Sequence, residues 1–277
     1  MRRGSVRFFL GAGVALLLGM VVSPQRSSAA EAKKYAVGLG FNYATGDYGT
    51  SQTTDSVSVP VMIDYYPTKR LDFELVIPYL YQSNSTTIFS GGMRFSTQRG
   101  SQGGMMGSSS ALNVDDSQSG LGDITLTAGY VIQKETQTAP ALRPLLYLKF
   151  PTADKDKGLG TGEFDIGVGL GAVKWIRGWY TFAEGRYIFQ GSNSDLGLKD
   201  YGTIEVEGGR PLTDRFLPTV SLWWSSPPSD QSSNLLEARL NGKYWVSDTI
   251  SLKGYLSKGL ADGSPDFGVG AAVYYSF

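Results

Sequence analysis

Charged residues two positions apart recur along the chain: Asp72 and Glu74, Glu163 and Asp165, Glu184 and Arg186, Glu205 and Glu207, Glu237 and Arg239. Two carboxylates so close could in principle share general acid and base roles. The spacing argues otherwise. A separation of two puts both side chains on one face of a β-strand, and each pair alternates with other residue types. The usual companions of acid–base chemistry are also missing. The sequence contains no histidine and no cysteine, which excludes Ser-His-Asp chemistry, histidine general bases and the usual zinc and haem ligands. No disulfide can form, so another source of stability is required.

Other motifs carry little chemistry. Met93, Met105 and Met106 in "GGMRFSTQRGSQGGMMG" are thioethers that suit soft Cu(I), but methionine alone is a weak metal signature. "GLGTG" and "GVGLG" do not stand between a strand and a helix, as a phosphate-binding loop would. No catalytic residue, metal site or cofactor is expected, and the protein reads as a non-enzyme.

The elements that hold the charged pairs are strands. Residues 1–30 read as a signal peptide: Arg2, Arg3 and Arg7 precede the apolar run Phe8 to Val22, and small residues lead to a cleavage after Ala30. The run is shorter than the ~20 residues of a spanning helix. Removing this segment takes away four arginines and no acid, leaving 21 basic against 25 acidic residues and a net charge of −4. Nothing in that balance favours nucleic acid. Residues 31–277 then form one domain of twelve segments with period-2 alternation, each of about ten residues. In "TGEFDIGVGLG", Phe164, Ile166, Val168 and Leu170 alternate with Asp165 and glycines; in "LLEARLNGK", Leu236, Ala238 and Leu240 alternate with Glu237, Arg239 and Asn241.

Connections after even-numbered segments are short, and those after odd-numbered segments are mostly longer and rich in Gly, Ser and Asp. The third, from about Ser83 to Ser119, is much the longest and reads as a flexible surface loop that could fold inward. Short turns on one side and long loops on the other mark an outer-membrane barrel. About ten residues per strand, rising ~3.3 Å each with a ~40° tilt, cross the ~25 Å apolar band of such barrels. Aromatic residues gather at the segment ends: Tyr35, Tyr65, Tyr66, Tyr130, Trp175, Trp179, Trp245 and Tyr275 near the short turns, and Tyr79, Tyr81, Tyr187, Phe189 and Trp224 near the long loops. The expectation is an all-β, twelve-stranded antiparallel transmembrane β-barrel in the bacterial outer membrane. Its apolar face meets the lipid bilayer and lipopolysaccharide. Its final strand, "AAVYYSF", resembles the C-terminal signal read by outer-membrane assembly machinery.

Parity assigns the charged residues to the lumen. The acids are Asp64, Asp72, Glu74, Asp123, Glu163, Asp165, Glu184, Glu205, Glu207 and Glu237. The bases are Arg143, Lys149, Arg186, Arg239, Lys243 and Lys253. A polar pore with a mild acidic excess and an internal salt-bridge network that fills the barrel are both compatible with twelve strands.

"SGLGDITL" at 119–126 and "RPLLYLKFPTADKDKGLGTGEFDIGVGLG" at 143–171 resemble the outer-membrane family named for the MetA pathway of phenol degradation. The resemblance implies a transporter and supplies no ligand residues to carry over. It points to a channel for passive passage of small solutes, apolar or aromatic ones among them. The alternative is a structural barrel serving as sheath or docking partner for an electron carrier or another envelope protein.

Overall fold

The computed structural model describes residues 33–96 and 117–277. The expected signal peptide, together with Met105 and Met106, lies outside them. Fifteen strands are present among the described residues. They are β1 (Tyr35–Gly46), β2 (Thr54–Tyr65), β3 (Leu71–Gln82), β4 (Thr87–Ser90), β5 (Met93–Ser96), β6 (Gln118–Leu121), β7 (Ile124–Tyr130), β8 (Ala141–Phe150), β9 (Asp165–Ile176), β10 (Trp179–Phe189), β11 (Tyr201–Gly209), β12 (Phe216–Ser225), β13 (Leu235–Trp245), β14 (Ile250–Gly259) and β15 (Phe267–Ser276).

Thirteen of them form one antiparallel sheet that closes on itself. β6 and β7 pair successively with β3 and act as one barrel strand, so the wall has twelve. The break between them falls at Gly122 and Asp123. There the Gly122 N–H donates to the Pro78 carbonyl, and the Asp123 carboxylate accepts from the Ala153 N–H. β1 joins β15 along Ala36↔Ser276 to Thr45↔Phe267. The seam is finished by the Tyr35 N–H donating to the Phe277 carbonyl and the Phe277 N–H donating to the Tyr35 carbonyl. The Tyr35 ring stacks on Tyr65 at 4.8 Å and on Phe277 at 5.7 Å. Among the described residues every wall strand except the short β6 pairs on both sides; in lipid an unpaired N–H or C=O would be costly.

Exposure alternates with the sequence pattern. Phe164, Ile166, Val168 and Leu170 face outward, while Asp165 is buried inside. The outer aromatics include Tyr35, Tyr65, Tyr130, Trp179 and Tyr275 at the short-turn end and Tyr79, Tyr81, Tyr187 and Phe189 at the other. Three rings depart from expectation. Tyr66, Trp175 and Trp245 have inward parity. Trp175 and Trp245 pack on an interior cluster that includes Val131, Ala141, Val173, Tyr180 and Leu217. An aromatic ring at a strand end suits either a wet interface or an apolar interior, so residue type alone does not choose its face.

The long connection after β3 does not stay on the surface. β4 and β5 form a two-stranded hairpin, with Thr87↔Ser96 to Ser90↔Met93 in register, and every residue of both strands is buried. Gly91 (φ 56°) and Gly92 (φ 91°) make its turn, where two positive φ angles suit a tight hairpin and favour glycine. Ile88, Phe95 and Leu196 form one apolar contact; Phe89, Leu80 and Leu159 form another. The hairpin is thus held by the barrel's inner wall and by other long loops.

Arginine in place of Val168 or Leu240, both outward at mid-strand, is expected to cost about 2–4 kcal/mol of folding stability in liposomes. Arginine in place of Leu212, which is exposed in the short turn between β11 and β12, is expected to cost no more than about 1 kcal/mol near the interface. Equal costs at the two depths would contradict this placement of the membrane.

Candidate functional site: the barrel lumen

The inward side chains sort into ion-paired groups set by strand register. β7, β8 and β9 are neighbours, so Lys149 lies beside Asp165. Its ammonium is 2.7 Å from the Asp165 carboxylate and 3.6 Å from that of Asp123. It also donates to the Thr161 hydroxyl at 2.7 Å and to Ser90 of the hairpin at 2.8 Å. Lys149, Asp165 and Asp123 are all but inaccessible, and this group pins the hairpin to the wall.

A second group lies further toward the short turns. Arg143 donates to both oxygens of Asp72, at 3.1 and 2.5 Å, a bidentate pairing. It also lies 4.0 Å from Glu184, which accepts from Arg186 at 2.6 Å. The Arg143 guanidinium lies flat over Gly129; a Cβ there would come within 1.9 Å of its Nη2. Glycine is required by this close approach, not by the backbone angle.

The third group is on β13. Arg239 donates to Glu237 at 3.0 Å, and its guanidinium carbon lies 5.4 Å from the Trp223 ring centre and 5.8 Å from that of Tyr255. Toward the short turns, Lys253 sits 4.2 Å over the Tyr274 ring and Lys243 lies 5.0 Å from the Trp245 ring. Asp64, Glu74 and Glu207 are buried nearby, with Met62 and Val76, and Glu207 accepts a short hydrogen bond from Thr219. These side chains fill this half of the interior apart from a smaller pocket at the short-turn mouth, lined by Lys34, Tyr66, Asp72 and Val131.

The other half is emptier. A cavity open to solvent lies among the long-loop ends of the strands, beside the hairpin; its empty space, open mouth included, is about 1080 Å³. Its charged lining comprises Arg94, Arg186 and Arg239 with Glu184, Glu205 and Glu237. Its rings include Tyr48, Phe89, Tyr147, Tyr201, Trp223 and Tyr255. Tyr48 belongs to the loop after β1, and burial pushes its phenol up to about 12, so it lines the cavity as a neutral hydroxyl.

The structure therefore places Asp72, Glu74, Arg143, Lys149, Asp165, Glu184, Arg186, Glu205, Glu207, Glu237, Arg239, Lys243 and Lys253 inside the barrel. Glu163 differs. It precedes β9, is partly exposed at the long-loop mouth, and lies 3.5 Å from the Asn193 amide nitrogen. The lumen also gains a cation that parity does not find. Arg94, on the hairpin, donates to Gln82 at 2.5 Å and lies 5.3 Å from the Phe89 ring centre.

Residues 84–277 match the family described as "Putative MetA-pathway of phenol degradation". The chain belongs to this family. No curated protein matches this phenol-degradation family member closely enough to count as a relative. Among solved structures it is similar to the COG4313 outer membrane channel from Pseudomonas putida F1, with TM-score 0.67 and 17% identity over 93% of this chain and 100% of that one. It is also similar to the KdgM porin, with TM-score 0.53 and 7% identity over 87% and 99% of the two chains. The translocator domain of the autotransporter NalP from Neisseria meningitidis gives TM-score 0.50 and 12% identity, covering 90% of each chain. At these identities the likeness is one of fold: the family member is a closed outer-membrane β-barrel of twelve strands.

Replacing Lys149 with Met leaves Asp165 and Asp123 buried without their cation, and the expected loss is about 3–5 kcal/mol in a urea titration of the lipid-folded protein. Gly129→Ala is expected to cost about 1–3 kcal/mol by displacing the Arg143 guanidinium. An unchanged midpoint in either variant would contradict the pairing described.

Proposed function

We propose that the protein is a channel for passive passage of small solutes across the outer membrane, and that the inward charged side chains other than Glu163 line the route. The observation that carries this reading is the open, charge- and ring-lined cavity beside an inward hairpin. Porin-type barrels combine an apolar outer band with a polar interior, and a segment folded into that interior narrows the route without removing it. The rings around the cavity give apolar and aromatic solutes surface to contact. The family membership and the resemblance in fold to outer-membrane channels support the same reading.

The hairpin is the narrowing element, so its removal is the direct test. Gln82 and Gln118 are register partners at the long-loop ends of β3 and β6, so residues 83–117 can be replaced by a short Gly/Ser turn without altering the barrel strands. The shortened protein is expected to fold and to show a severalfold larger single-channel conductance in planar bilayers. Conductance unchanged by the deletion would overturn the role given to the hairpin, and no current from either protein would overturn the channel.

Ion selectivity follows from the pairing. Three arginines and three glutamates line the cavity, so its wall carries no formal excess, while the filled half holds more acid than base. A weak cation preference that fades with rising salt is expected, since screening shortens at high ionic strength. Arg94→Glu should strengthen it. Reversal potentials under a salt gradient check this, and anion selectivity of the unaltered protein would refute it.

A further inference from the structure

The two ends of the barrel carry opposite charge. The short-turn ends, residues 33–34, 66–70, 131–140, 177–178, 210–215 and 246–249, hold eight Lys and Arg against three Asp and Glu. Five of the long connections, residues 47–53, 151–164, 190–200, 226–234 and 260–266, hold three Lys against nine Asp and Glu. Most of the basic rim is uncommitted. Lys33 donates to the Asp248 carbonyl, and Glu135 is taken up by Lys174 of β9 at 3.7 Å. The other seven rim cations, Lys34, Lys69, Arg70, Arg177 and Arg210 among them, are exposed and form no ion pair among the described residues.

The apolar residues of the same turns set their depth. Ile132 is 55% exposed, Ile176 52%, Leu212 69% and Val246 41%. Ile132, Ile176 and Val246 keep the outward parity of β7, β9 and β13, so they prolong the lipid-facing wall to its short-turn end. Open aliphatic side chains there are buried only if the bilayer reaches them. The turn cations then stand at the headgroup layer, where the long stems of Lys and Arg lie along apolar surface and their charged ends reach phosphate.

We propose that the short-turn rim is a binding surface for anionic phospholipid, its cations taking the headgroup phosphates. This surface is independent of what passes through the lumen. A zwitterionic headgroup brings an ammonium with its phosphate, and a rim with five more bases than acids repels that ammonium. A headgroup whose only charge is the phosphate meets no such opposition.

The tightest site lies at the ends of β1, β2 and β3. Lys34, Lys69 and Arg70 line one pocket there, and the Tyr66 N–H donates to the Lys34 carbonyl, joining the two segments that supply them. On the outer wall beside it the rings of Phe277, Tyr35, Tyr65 and Phe73 stack in a row, with centres 5.7, 4.8 and 6.3 Å apart. Cations at the end of a flat apolar strip fit a single lipid, its phosphate on the cations and an acyl chain along the rings. An acidic soluble protein would meet the same charge. It would approach from the water, however, and leave the outward aliphatics and the ring row uncovered.

The test is lipid retention. The barrel is reconstituted in nanodiscs of one part phosphatidylglycerol to four parts phosphatidylcholine with the same acyl chains, and the lipids still bound after release into detergent are counted by native mass spectrometry. The retained ratio of phosphatidylglycerol to phosphatidylcholine is expected to exceed the bulk ratio about fivefold, the worth of one Lys or Arg at an anionic surface, and to fall toward it as salt is raised. Lys34→Gln, Lys69→Gln and Arg70→Gln together should lower the enrichment at least about threefold, and Arg177→Gln with Arg210→Gln about twofold. Lys155→Gln, Lys157→Gln and Lys199→Gln, which take as many cations from the long loops as the triple rim variant takes from the rim, should leave it unchanged. A heat-sensitive shift in electrophoretic mobility checks that each variant is a folded barrel. Retention at the bulk ratio, unchanged enrichment in both rim variants, or an equal loss in the long-loop variant would overturn the proposal. Binding of a hexaglutamate peptide that phosphatidylglycerol does not displace would also overturn it, making the partner an acidic protein segment.

Discussion

The rest of the molecule depends on the demand that a lipid bilayer places on a peptide backbone. Hydrocarbon offers nothing to hydrogen-bond, so every N–H and C=O within it must find a partner in the chain. Twelve wall strands meet that demand only by closing. Closure fixes the side-chain geometry, because alternate residues of every strand then point inward whatever their chemistry. An interior wall that must be polar brings many charges into a narrow space. The ion-paired groups around Lys149, Arg143 and Arg239 answer that crowding. They stand where they do because register sets β8 between β7 and β9 and, on β13, places Glu237 and Arg239 on the same face.

The interior divides into two regimes. Near the short turns, charged and aromatic side chains such as Asp64, Glu74, Lys253 and Tyr274 fill the space. Near the long loops, paired charges and aromatic rings line a cavity, and the hairpin lies beside it as a separate piece of sheet. The pore and the filled barrel that strand number leaves open are therefore not exclusive. One molecule contains a packed half and a spacious half, with the hairpin bound between walls by Lys149, Gln82 and the Tyr147–Tyr201 face.

The wall strands are legible in the sequence because lipid enforces a strict two-residue period, as in Phe164 to Leu170. The same period sends Asp165, Glu184 and Arg239 inward. Trp175, Tyr66 and Trp245 are less legible, since an amphipathic ring at a strand end satisfies either face. The inward hairpin has a signal that length obscures. "TIFSGGMRFS" is two short runs around Gly-Gly, a two-residue hairpin signature, set inside a long Gly- and Ser-rich stretch. That it turns inward depends on Lys149 and Gln82, contributed by other strands, and local sequence carries no trace of such contacts. Arg94 travels with the hairpin and is hidden for the same reason. Glu163 shows the converse: its parity is right, but the strand begins two residues later, and a period cannot say where a strand stops.

The seam between β1 and β15 has a consequence for the order of events in assembly. It couples Ala36 to Ser276, nearly the full span of the described chain, whereas most other wall pairings join strands adjacent in sequence. As strands are laid down in chain order, one flank of β1 has nothing of its own to bond until the last strand arrives. A growing sheet cannot present that flank to hydrocarbon. It must either stay in water until all twelve strands are ready or lean, for that interval, on an edge belonging to another molecule. Pairing of that flank with β15 is therefore the step that completes the wall.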